Sequence, residues 1–244
     1  MSRTAIVTGA ASGLGKALVA LLVERGDIVF GFDLAGLDPA GNERRAAVEA
    51  AGAAFVACDV TSLDAWNTAT SFVTARAGEV DVAFLNAGVM TRSPSQPIDD
   101  DPVALAAGDG YRKVFAVNVD GVVFGTTALA PYLALNGSIA VTASTAALGP
   151  LPFDPYYAAT KHAVAGYVKS AGSVFASRAQ RINALCPGGI DTNIVPDPLR
   201  ASMPATTFRA PRDVARALVA VSEHDGSGSL FTLTDNDALI APVN

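Results

Sequence analysis

A tyrosine and a lysine in the second half of the chain have the spacing needed for proton transfer. Tyr157 and Lys161 lie four residues apart in a predicted helix, so their side chains share one helix face. A free tyrosine has a pKa of about 10 and is a poor base near neutral pH, but a nearby ammonium favours the phenolate. The pair therefore predicts a tyrosine that exchanges a proton with a bound hydroxyl or carbonyl group. The neighbouring Tyr156 has Thr160 in place of the cation.

Two further polar residues are candidates for the same chemistry. Ser144 follows the fifth predicted strand directly, at a carboxyl end where ligands gather in open α/β sheets, and its hydroxyl could hydrogen-bond a substrate oxygen. Asn118 interrupts a helical run in which asparagine is a mediocre helix former. It can be a catalytic group or an amide that ties down the fourth strand, and the sequence favours neither.

A glycine-rich turn near the N-terminus predicts a phosphate site. Gly9, Ser12, Gly13, Leu14 and Gly15 lie between the first predicted strand and the first predicted helix. Glycines allow a tight turn there and let the backbone approach a pyrophosphate at the positive end of the helix. The context of strand, turn and helix predicts a dinucleotide-binding loop.

Acidic and amide residues at later strand ends extend this prediction. Asp33 closes the second strand, where a carboxylate can accept hydrogen bonds from ribose hydroxyls and repels a 2′-phosphate. Arg44 and Arg45 are too distant in sequence to form an obvious phosphate clamp, so we predict NAD in preference to NADP. Asp59 could reach the adenine, and the segment 86–88 (Asn86, Ala87 and Gly88) ends the fourth strand beside the cofactor.

The elements that must position these residues alternate along the chain. Short apolar runs predict strands at 4–8, 28–33, 53–59, 80–86, 137–143, 181–186 and 229–234, and helical periodicity predicts helices at 14–25, 42–51, 63–77, 111–134, 156–178 and 211–223. Strands without strict alternation are typical of a parallel sheet buried on both faces. The prediction is an α/β Rossmann fold, a doubly wound, mostly parallel, seven-stranded sheet in one domain over 1–244. The Pro-rich stretches 91–110 and 193–210 are predicted substrate-site loops.

Composition excludes several other classes of protein. Half of the 244 residues are hydrophobic and 16% are charged, so the chain can bury enough surface to fold. A net charge of −6 disfavours nucleic acid and anionic membranes as partners. Two cysteines and two histidines provide neither a disulfide framework nor an obvious metal site. No signal peptide and no apolar run of membrane-spanning length stand out, so a cytoplasmic protein is expected.

The motifs taken together resemble the short-chain dehydrogenase/reductase family of the small, single-domain kind. The resemblance covers nearly the whole chain and rests on the TGxxxGxG loop at 8–15, Asp33, Asp59-Val60, Asn86-Ala87-Gly88, Asn118, Ser144, Tyr157, Lys161, Pro187-Gly188 and Thr192. It implies an NAD-dependent alcohol dehydrogenase that interconverts a secondary alcohol and a ketone. The stretches around 160–166 and 183–188 look nearest to the prostaglandin-oxidising branch.

The resemblance also implies a role for each matched residue. Tyr157 would be the general acid/base, Ser144 would polarise the substrate oxygen, and Asn118 would hold a water in a proton relay. Lys161 would lower the pKa of the tyrosine and, with Tyr157, contact the nicotinamide ribose. The backbone of Ile190 and the side chain of Thr192 would hold the carboxamide. The chain departs from the family pattern in a longer 86–118 stretch with acidic residues at 99–101, and in its C-terminal sequence from 232 onwards.

Substrate, assembly and alternative functions are less constrained. Predicted pocket residues are largely apolar, which favours a hydroxysteroid-, prostaglandin- or aryl-alcohol-like substrate: Met90, Leu148, Phe153, Ile194 and Met203. Small residues in the 156–178 helix predict close helix packing in a homodimer or homotetramer. The alternatives are a non-catalytic dinucleotide sensor and an epimerase or dehydratase that keeps NAD as a prosthetic group.

Overall fold

The architecture comes from a computed structural model, which describes residues 2–34, 39–93, 95–97, 99–233 and 240–243. Eight strands form one sheet in the order β3-β2-β1-β4-β5-β6-β7-β8. The strands are β1 (Thr4–Thr8), β2 (Ile28–Asp33), β3 (Ala54–Ala57), β4 (Val80–Leu85), β5 (Leu133–Thr142), β6 (Arg181–Cys186), β7 (Leu230–Leu233) and β8 (Ile240–Val243). The strand order reverses between β1 and β4, which is where ligands bind in such sheets.

The seven predicted strands are all present and pair in parallel, so the predicted Rossmann fold is confirmed. The sheet has one strand more than predicted. β8 pairs antiparallel with β7 at the sheet edge, with Pro242 opposite Phe231. The link between β7 and β8, 234–239, includes most of the atypical C-terminal sequence and lies outside the described residues.

Helices cover both faces of the sheet, as the buried, β-branched strands require. They are α1 (Gly13–Glu24), α2 (Pro39–Ala50), α3 (Leu63–Ala77), α4 (Asp109–Phe115), α5 (Gly121–Leu129), α6 (Pro155–Ala176), α7 (Asp197–Ser202) and α8 (Pro211–Ser222). One apolar core, containing Leu18, Val48 and Leu218, packs α1, α2 and α8 on one face. The other core, containing Trp66, Leu129 and Val164, packs α3, α5 and α6 on the opposite face.

The predicted helix over 111–134 is wrong at its C-terminal end and in its regularity. α4 runs into a π-helical stretch, Ala116–Asp120, before α5 begins. β5 starts at Leu133, four residues earlier than predicted, because Leu133 already pairs with Val80; the register shifts before Ser138 pairs with Val82, and Asn136 in between has a positive φ of 63°. The sequence 133–136 is apolar apart from this asparagine, so it fits either type of element.

The helical run Asp109–Tyr132 also differs from the expectation about membrane spans. By length and composition alone, its 24 residues are long and apolar enough to cross a membrane. Part of this run packs inside the protein, where Val114, Val122 and Leu129 are buried, and Tyr111 and Tyr132 are exposed. Core helices commonly have such a composition.

Candidate active site

A cleft of about 1070 Å³ opens at the carboxyl ends of the central strands. It brings together most of the predicted residues: Gly9, Ser12, Gly13, Leu14, Asn86, Ala87, Gly88, Met90, Ser144, Phe153, Tyr157, Lys161, Pro187, Gly188, Ile190, Thr192, Ile194 and Met203. The sheet positions these groups, because β1, β4, β5 and β6 all end at this edge. A location at the reversal of strand order is the one expected for a nucleotide ligand.

The glycine-rich loop has a geometry that side chains would obstruct. Gly9 and Gly13 have positive φ values of 65° and 49°, which disfavour other residues. A Cβ atom on Gly9 would lie 3.1 Å from Cα of Ala87, and one on Gly13 would lie 3.0 Å from Cγ2 of Thr192. A Cβ atom on Gly15 would lie only 1.9 Å from the carbonyl oxygen of Gly9. These close approaches leave a backbone cradle at the start of α1 that fits a pyrophosphate group.

Asn86 and Thr8 fasten the ends of three strands below this cradle. The backbone N–H groups of Asn86 and Ala87 both donate to Oγ1 of Thr8 at 2.9 Å. The side chain of Asn86 donates to the carbonyl of Thr8 and accepts from Thr142, each at 3.1 Å. The segment 86–88 is therefore held rigidly beside the cleft by β1 and β5.

Asp33 is fixed at the end of β2, but its surroundings differ from the expectation. Its Oδ2 accepts from the amide of Ala11 at 2.9 Å, and its Oδ1 accepts from the amide of Leu34 at 2.8 Å. Arg44, which is too distant in sequence to be an obvious neighbour, lies 3.8 Å from Oδ1. It also donates to the carbonyl of Leu34. α2 thus folds back and brings a cation against the carboxylate, so the premise that Arg44 is remote is wrong.

Several predicted residues do not line the cleft: Gly15, Asp33, Asp59, Val60, Asn118 and Leu148. Asp59 is exposed, and its Oδ1 accepts from the amide and hydroxyl of Thr61. Val60 packs against Gly121, and its carbonyl accepts from the indole of Trp66. Leu148 is 41% exposed in the turn after β5.

Tyr157 and Ser144 meet in the cleft. Burial has the largest effect on the pKa of Tyr157, which is raised to about 12. A hydrogen bond with Ser144 lowers this pKa, and the charge of Asp154 raises it. Ser144 also caps a short 3-10 turn by accepting from the amide of Ala146 at 3.1 Å. The expected lowering of the tyrosine pKa is not seen, because desolvation of the phenolate dominates in this apolar setting.

Lys161 lies on the same face of α6, one turn beyond Tyr157. Its Nζ donates to the carbonyl of Thr142 at 2.8 Å and lies 5.5 Å from the centre of the Tyr157 ring. Burial lowers the pKa of Lys161 to about 8. Gly88 lies beside this ammonium, since a Cβ atom on Gly88 would be 3.7 Å from Nζ.

The side chain of Asn118 is occupied by structural contacts. Its Oδ1 accepts from the amide of Val89 at 2.9 Å, and its Nδ2 donates to the carbonyl of Val89 at 2.9 Å. Nδ2 also lies 3.1 Å from the hydroxyl of Thr160. These contacts match the interpretation of Asn118 as an amide that ties down the segment after β4. They come from the π-helical stretch, a distortion that is frequent at functional sites.

The loop after β6 closes the cleft above the cradle. Ile190 bridges to Arg209, and the carbonyl of Ile190 accepts from the amide of Thr192 at 2.8 Å. Arg200 of α7 donates to Oδ1 of Asp191 and to the carbonyl of Thr192. The predicted loop 193–210 therefore contains α7 and a 3-10 turn, which hold Thr192 over Gly13.

Sequence reasoning missed three residues that shape this site. Arg92 and Lys113 line the cleft, and Asp154 is a fully buried carboxylate at the start of α6. The signal for Asp154 was present, since an aspartate followed by Pro155 is a typical helix start. No sequence motif identifies Arg92, because the three carbonyl groups that its side chain contacts belong to residues five, eight and 61 positions away.

Metal ligands and disulfides are not found in the described part of the chain. No group of three or more His, Cys, Asp or Glu side chains there could hold a metal ion. Cys58 and Cys186 are free and buried, as expected, and burial raises the pKa of both thiols.

Comparison with known proteins now identifies the class of protein. Residues 3–200 match the family model described as short chain dehydrogenase. The chain therefore belongs to the short-chain dehydrogenase/reductase family, and the resemblance seen in its sequence is confirmed. Membership makes it an oxidoreductase that acts on hydroxyl groups and binds a nicotinamide dinucleotide.

Particular relatives refine this picture. A 2-(R)-hydroxypropyl-CoM dehydrogenase of Xanthobacter autotrophicus is 35% identical over 79% of this chain and 76% of its own. A cis-4-hydroxycyclohexanecarboxylate dehydrogenase of Sinomonas cyclohexanicum is 32% identical over 92% of this chain and 91% of its own. An NAD-bound short-chain dehydrogenase from Mycobacterium paratuberculosis has a TM-score of 0.77, covers 94% of this chain and 95% of its own, and is 24% identical, which shows the shared fold.

Proposed function

We propose that this protein is an NAD(H)-dependent dehydrogenase that interconverts a secondary alcohol and a ketone. The observation that carries the proposal is the convergence of Ser144, Tyr157 and Lys161 in the cleft that also contains the glycine-rich cradle. A plain binding module needs the cradle alone. The whole chain, 1–244, would act as one cofactor- and substrate-binding domain, with 91–110 and 193–210 as its substrate loops.

The side chains divide the chemistry between them. A bound oxidised nicotinamide supplies a hydride acceptor and a positive charge. Tyr157 removes the hydroxyl proton of the alcohol, and in the reverse direction it returns that proton to the ketone oxygen. Ser144 would hold the substrate oxygen by a hydrogen bond, and Lys161 would contact the ribose of a bound cofactor and contribute positive charge beside Tyr157. Because burial raises the pKa of Tyr157 to about 12, we expect alcohol oxidation to accelerate with rising pH.

We further propose that the cofactor is NAD in preference to NADP. Asp33 is oriented by the amide of Ala11, at the edge of the cradle, where its charge would oppose a 2′-phosphate. Arg44 lies beside that carboxylate and partly offsets its charge. The test is kcat/KM for both cofactors with wild type, Asp33→Asn and Asp33→Asn/Arg44→Gln. NAD should be favoured by wild type, the single variant should gain activity with NADP, and the double variant should lose that gain. Equal use of both cofactors by wild type contradicts the assignment.

The substrate should have an apolar body. The cleft is lined on one side by apolar side chains: Met90, Leu151, Phe153, Ile194, Leu199, Met203 and Phe208. Such linings favour cyclic, aromatic or steroid-like alcohols. The names of two relatives, which refer to a 4-hydroxycyclohexanecarboxylate and a 2-hydroxypropyl group, agree with a hydroxyl on a secondary carbon.

A coupled screen tests the activity. Purified protein is incubated with NAD and cyclohexanol, 1-phenylethanol, 2,3-butanediol or a 3-hydroxysteroid, and NADH is followed at 340 nm; product is identified independently by chromatography. Accumulation of NADH with ketone supports the proposal. Conversion without NADH indicates an epimerase or dehydratase, and binding of NADH with no conversion indicates a sensor.

Assembly and location complete the proposal. We propose a cytoplasmic homodimer or homotetramer. Tyr111 on α4 and Val174 on α6 are exposed, as a subunit contact through these two helices would require. Sedimentation velocity at micromolar concentration distinguishes the two oligomers, and a monomer at every concentration contradicts both.

A further inference from the structure

A buried carboxylate joins the catalytic helix to the loop after β4. Oδ1 of Asp154 accepts from the amide of Tyr157 at 3.0 Å and so caps α6. Its Oδ2 accepts from the amides of Thr91 at 2.9 Å and Arg92 at 3.4 Å. The side chain is fully buried, so these backbone donors replace its hydration. One charged group thereby bonds to two segments that are more than 60 residues apart.

A buried guanidinium fastens the rest of the same loop. Arg92 is 3% exposed and donates to three carbonyl groups, those of Phe153 at 2.7 Å, Pro97 at 2.6 Å and Asp100 at 2.7 Å. Phe153 immediately precedes Asp154, so both charged residues act at one junction. Charge-assisted hydrogen bonds of this kind are stronger than neutral ones.

We propose that Asp154 and Arg92, here named the loop clamp, are positioning residues that lock the acidic loop 91–101 to the first turn of the catalytic helix. The clamp bonds directly to the backbone of Thr91, Pro97 and Asp100 in that loop. The loop lines that cleft through Thr91, Ser93 and Gln96. Loosening the clamp should therefore weaken substrate binding. This kinetic consequence rests on the proposed function, whereas the structural coupling does not.

The two members of the clamp should be distinguishable by pH dependence. The charge of Asp154 raises the pKa of Tyr157, and Arg92 has no such effect. Lys161 lies 5.5 Å from the centre of the Tyr157 ring on the same helix, and Arg92, Lys113 and Asp191 are the other charged residues that line the cleft, while Cys186 of β6 acts on Lys161. Asp154→Asn removes the negative charge and keeps a good helix cap. The pKa of Tyr157 should therefore fall, and the limb of the pH profile of kcat/KM that reports Tyr157 should move to lower pH. Arg92→Lys should leave that limb in place.

Hydrogen exchange tests the coupling without a substrate. In Asp154→Ser the serine can still cap α6 but offers no second oxygen to the loop. The amides of Thr91 and Arg92 should exchange on the order of 10- to 100-fold faster, while the amide of Tyr157 stays protected. In Arg92→Lys, a single-point donor replaces the planar fork, so peptides covering 93–104 should exchange faster.

Kinetics then test the consequence, with cyclohexanol or 1-phenylethanol as the alcohol and saturating NAD. Asp154→Asn and Arg92→Lys should each raise KM several-fold with a smaller change in kcat, and only Asp154→Asn should move the pH limb. Ser62→Ala is the matched control, because Ser62 caps α3 by accepting from the amide of Ala65 at 3.2 Å, outside the cleft. It should lower the melting temperature and leave KM and the pH profile unchanged.

The outcomes separate the two proposals. If both clamp variants behave like Ser62→Ala, or if loop exchange is unchanged in Asp154→Ser and Arg92→Lys, the loop clamp is refuted. If wild type converts none of the alcohols, the proposed function fails, and the exchange experiment still decides the clamp. Should Asp154→Ser not fold, exchange in the isosteric Asp154→Asn is measured instead.

Discussion

The two walls of the cleft are built on different physical principles. The cofactor wall, residues 9–14 with 86–88, is made of backbone that approaches closely because glycines remove side chains. The substrate wall, the described residues of 91–101 with the start of α6, is held by two buried charged side chains that bond to backbone groups. The close approaches of the cofactor wall depend on residues within short segments of the sequence. The bonds of the substrate wall join residues that are far apart in the sequence. Tyr157, the proposed general acid/base, lies between the two walls, and three predictions test this division.

The largest effect should come from removing the proton carrier while both walls remain intact. Tyr157→Phe should lower kcat for alcohol oxidation by about 10²- to 10⁴-fold, since the proposed mechanism uses the phenolic oxygen as the proton acceptor. NADH affinity should be retained within a few-fold. Tyr156→Phe is the control, because its hydroxyl donates to the carbonyl of Val103 at 2.8 Å rather than to the cleft. Near-normal turnover by Tyr157→Phe removes this residue from the mechanism.

A smaller effect should follow from breaking the cofactor wall alone. Gly9→Ala places a Cβ 3.1 Å from Cα of Ala87 on a residue with a φ of 65°. We expect NADH affinity, measured by fluorescence titration, to fall roughly ten- to a hundred-fold through strain in the cradle. Exchange of the Thr91 and Arg92 amides should not change.

Gly26→Ala controls for backbone strain. Gly26 has a φ of 83°, and nothing lies within 4 Å of its virtual Cβ, so the substitution carries the same kind of penalty away from the cleft. It should destabilise the protein and leave cofactor affinity unaltered. Loss of affinity in both variants would mean that strain spreads through the sheet and that the two walls are not separate.

The smallest expected effect is on the free energy of unfolding, and it concerns Lys161, which lies between the two walls. Burial lowers the pKa of Lys161 to about 8, below its usual 10.5, so the charged lysine destabilises the free protein at neutral pH. Between pH 8 and 10.5 the unfolded chain binds more protons, and wild-type stability should rise with pH through this window. Lys161→Met should be inactive yet more stable by about 1–2 kcal/mol at pH 7, with the advantage fading by pH 10.

Urea unfolding at pH 7 and pH 10 measures this difference. Lys113→Met is the matched control, because Lys113 is an exposed lysine of the same cleft and should show little change at either pH. A Lys161→Met protein less stable than wild type at pH 7 would show that the bond from Lys161 to the carbonyl of Thr142 outweighs the cost of burial.

The contrast between the walls also explains what the sequence could reveal. The cradle, Asp33 and the Tyr157–Lys161 pair depend on local spacing within one strand–turn–helix unit or one helix, and all could be predicted. The contact of Arg44 with Asp33, the choice between the two roles of Asn118 and the bonds of Arg92 depend on how segments pack, and a single sequence contains no local signal for them. The direction of the Tyr157 pKa was missed for the same reason, because burial is a property of the assembled fold.

The predicted start of β5 was wrong because the composition there fits both a helix and a strand. Leu133-Ala134-Leu135 suits a helix as well as a strand, and pairing with β4 decides in favour of the strand. β8 was missed because four residues at a chain end carry no periodicity, and its position depends on the edge that β7 presents.

That last strand has a consequence for how the protein meets other chains. An exposed sheet edge offers unpaired amide and carbonyl groups to any passing strand, and this is a common route to aggregation. β8 covers the edge of β7 and places Pro242, which has no amide hydrogen, in the outermost strand. The sheet thus ends in a strand that is a poor template for a ninth, and this side of the molecule is protected against edge-to-edge growth.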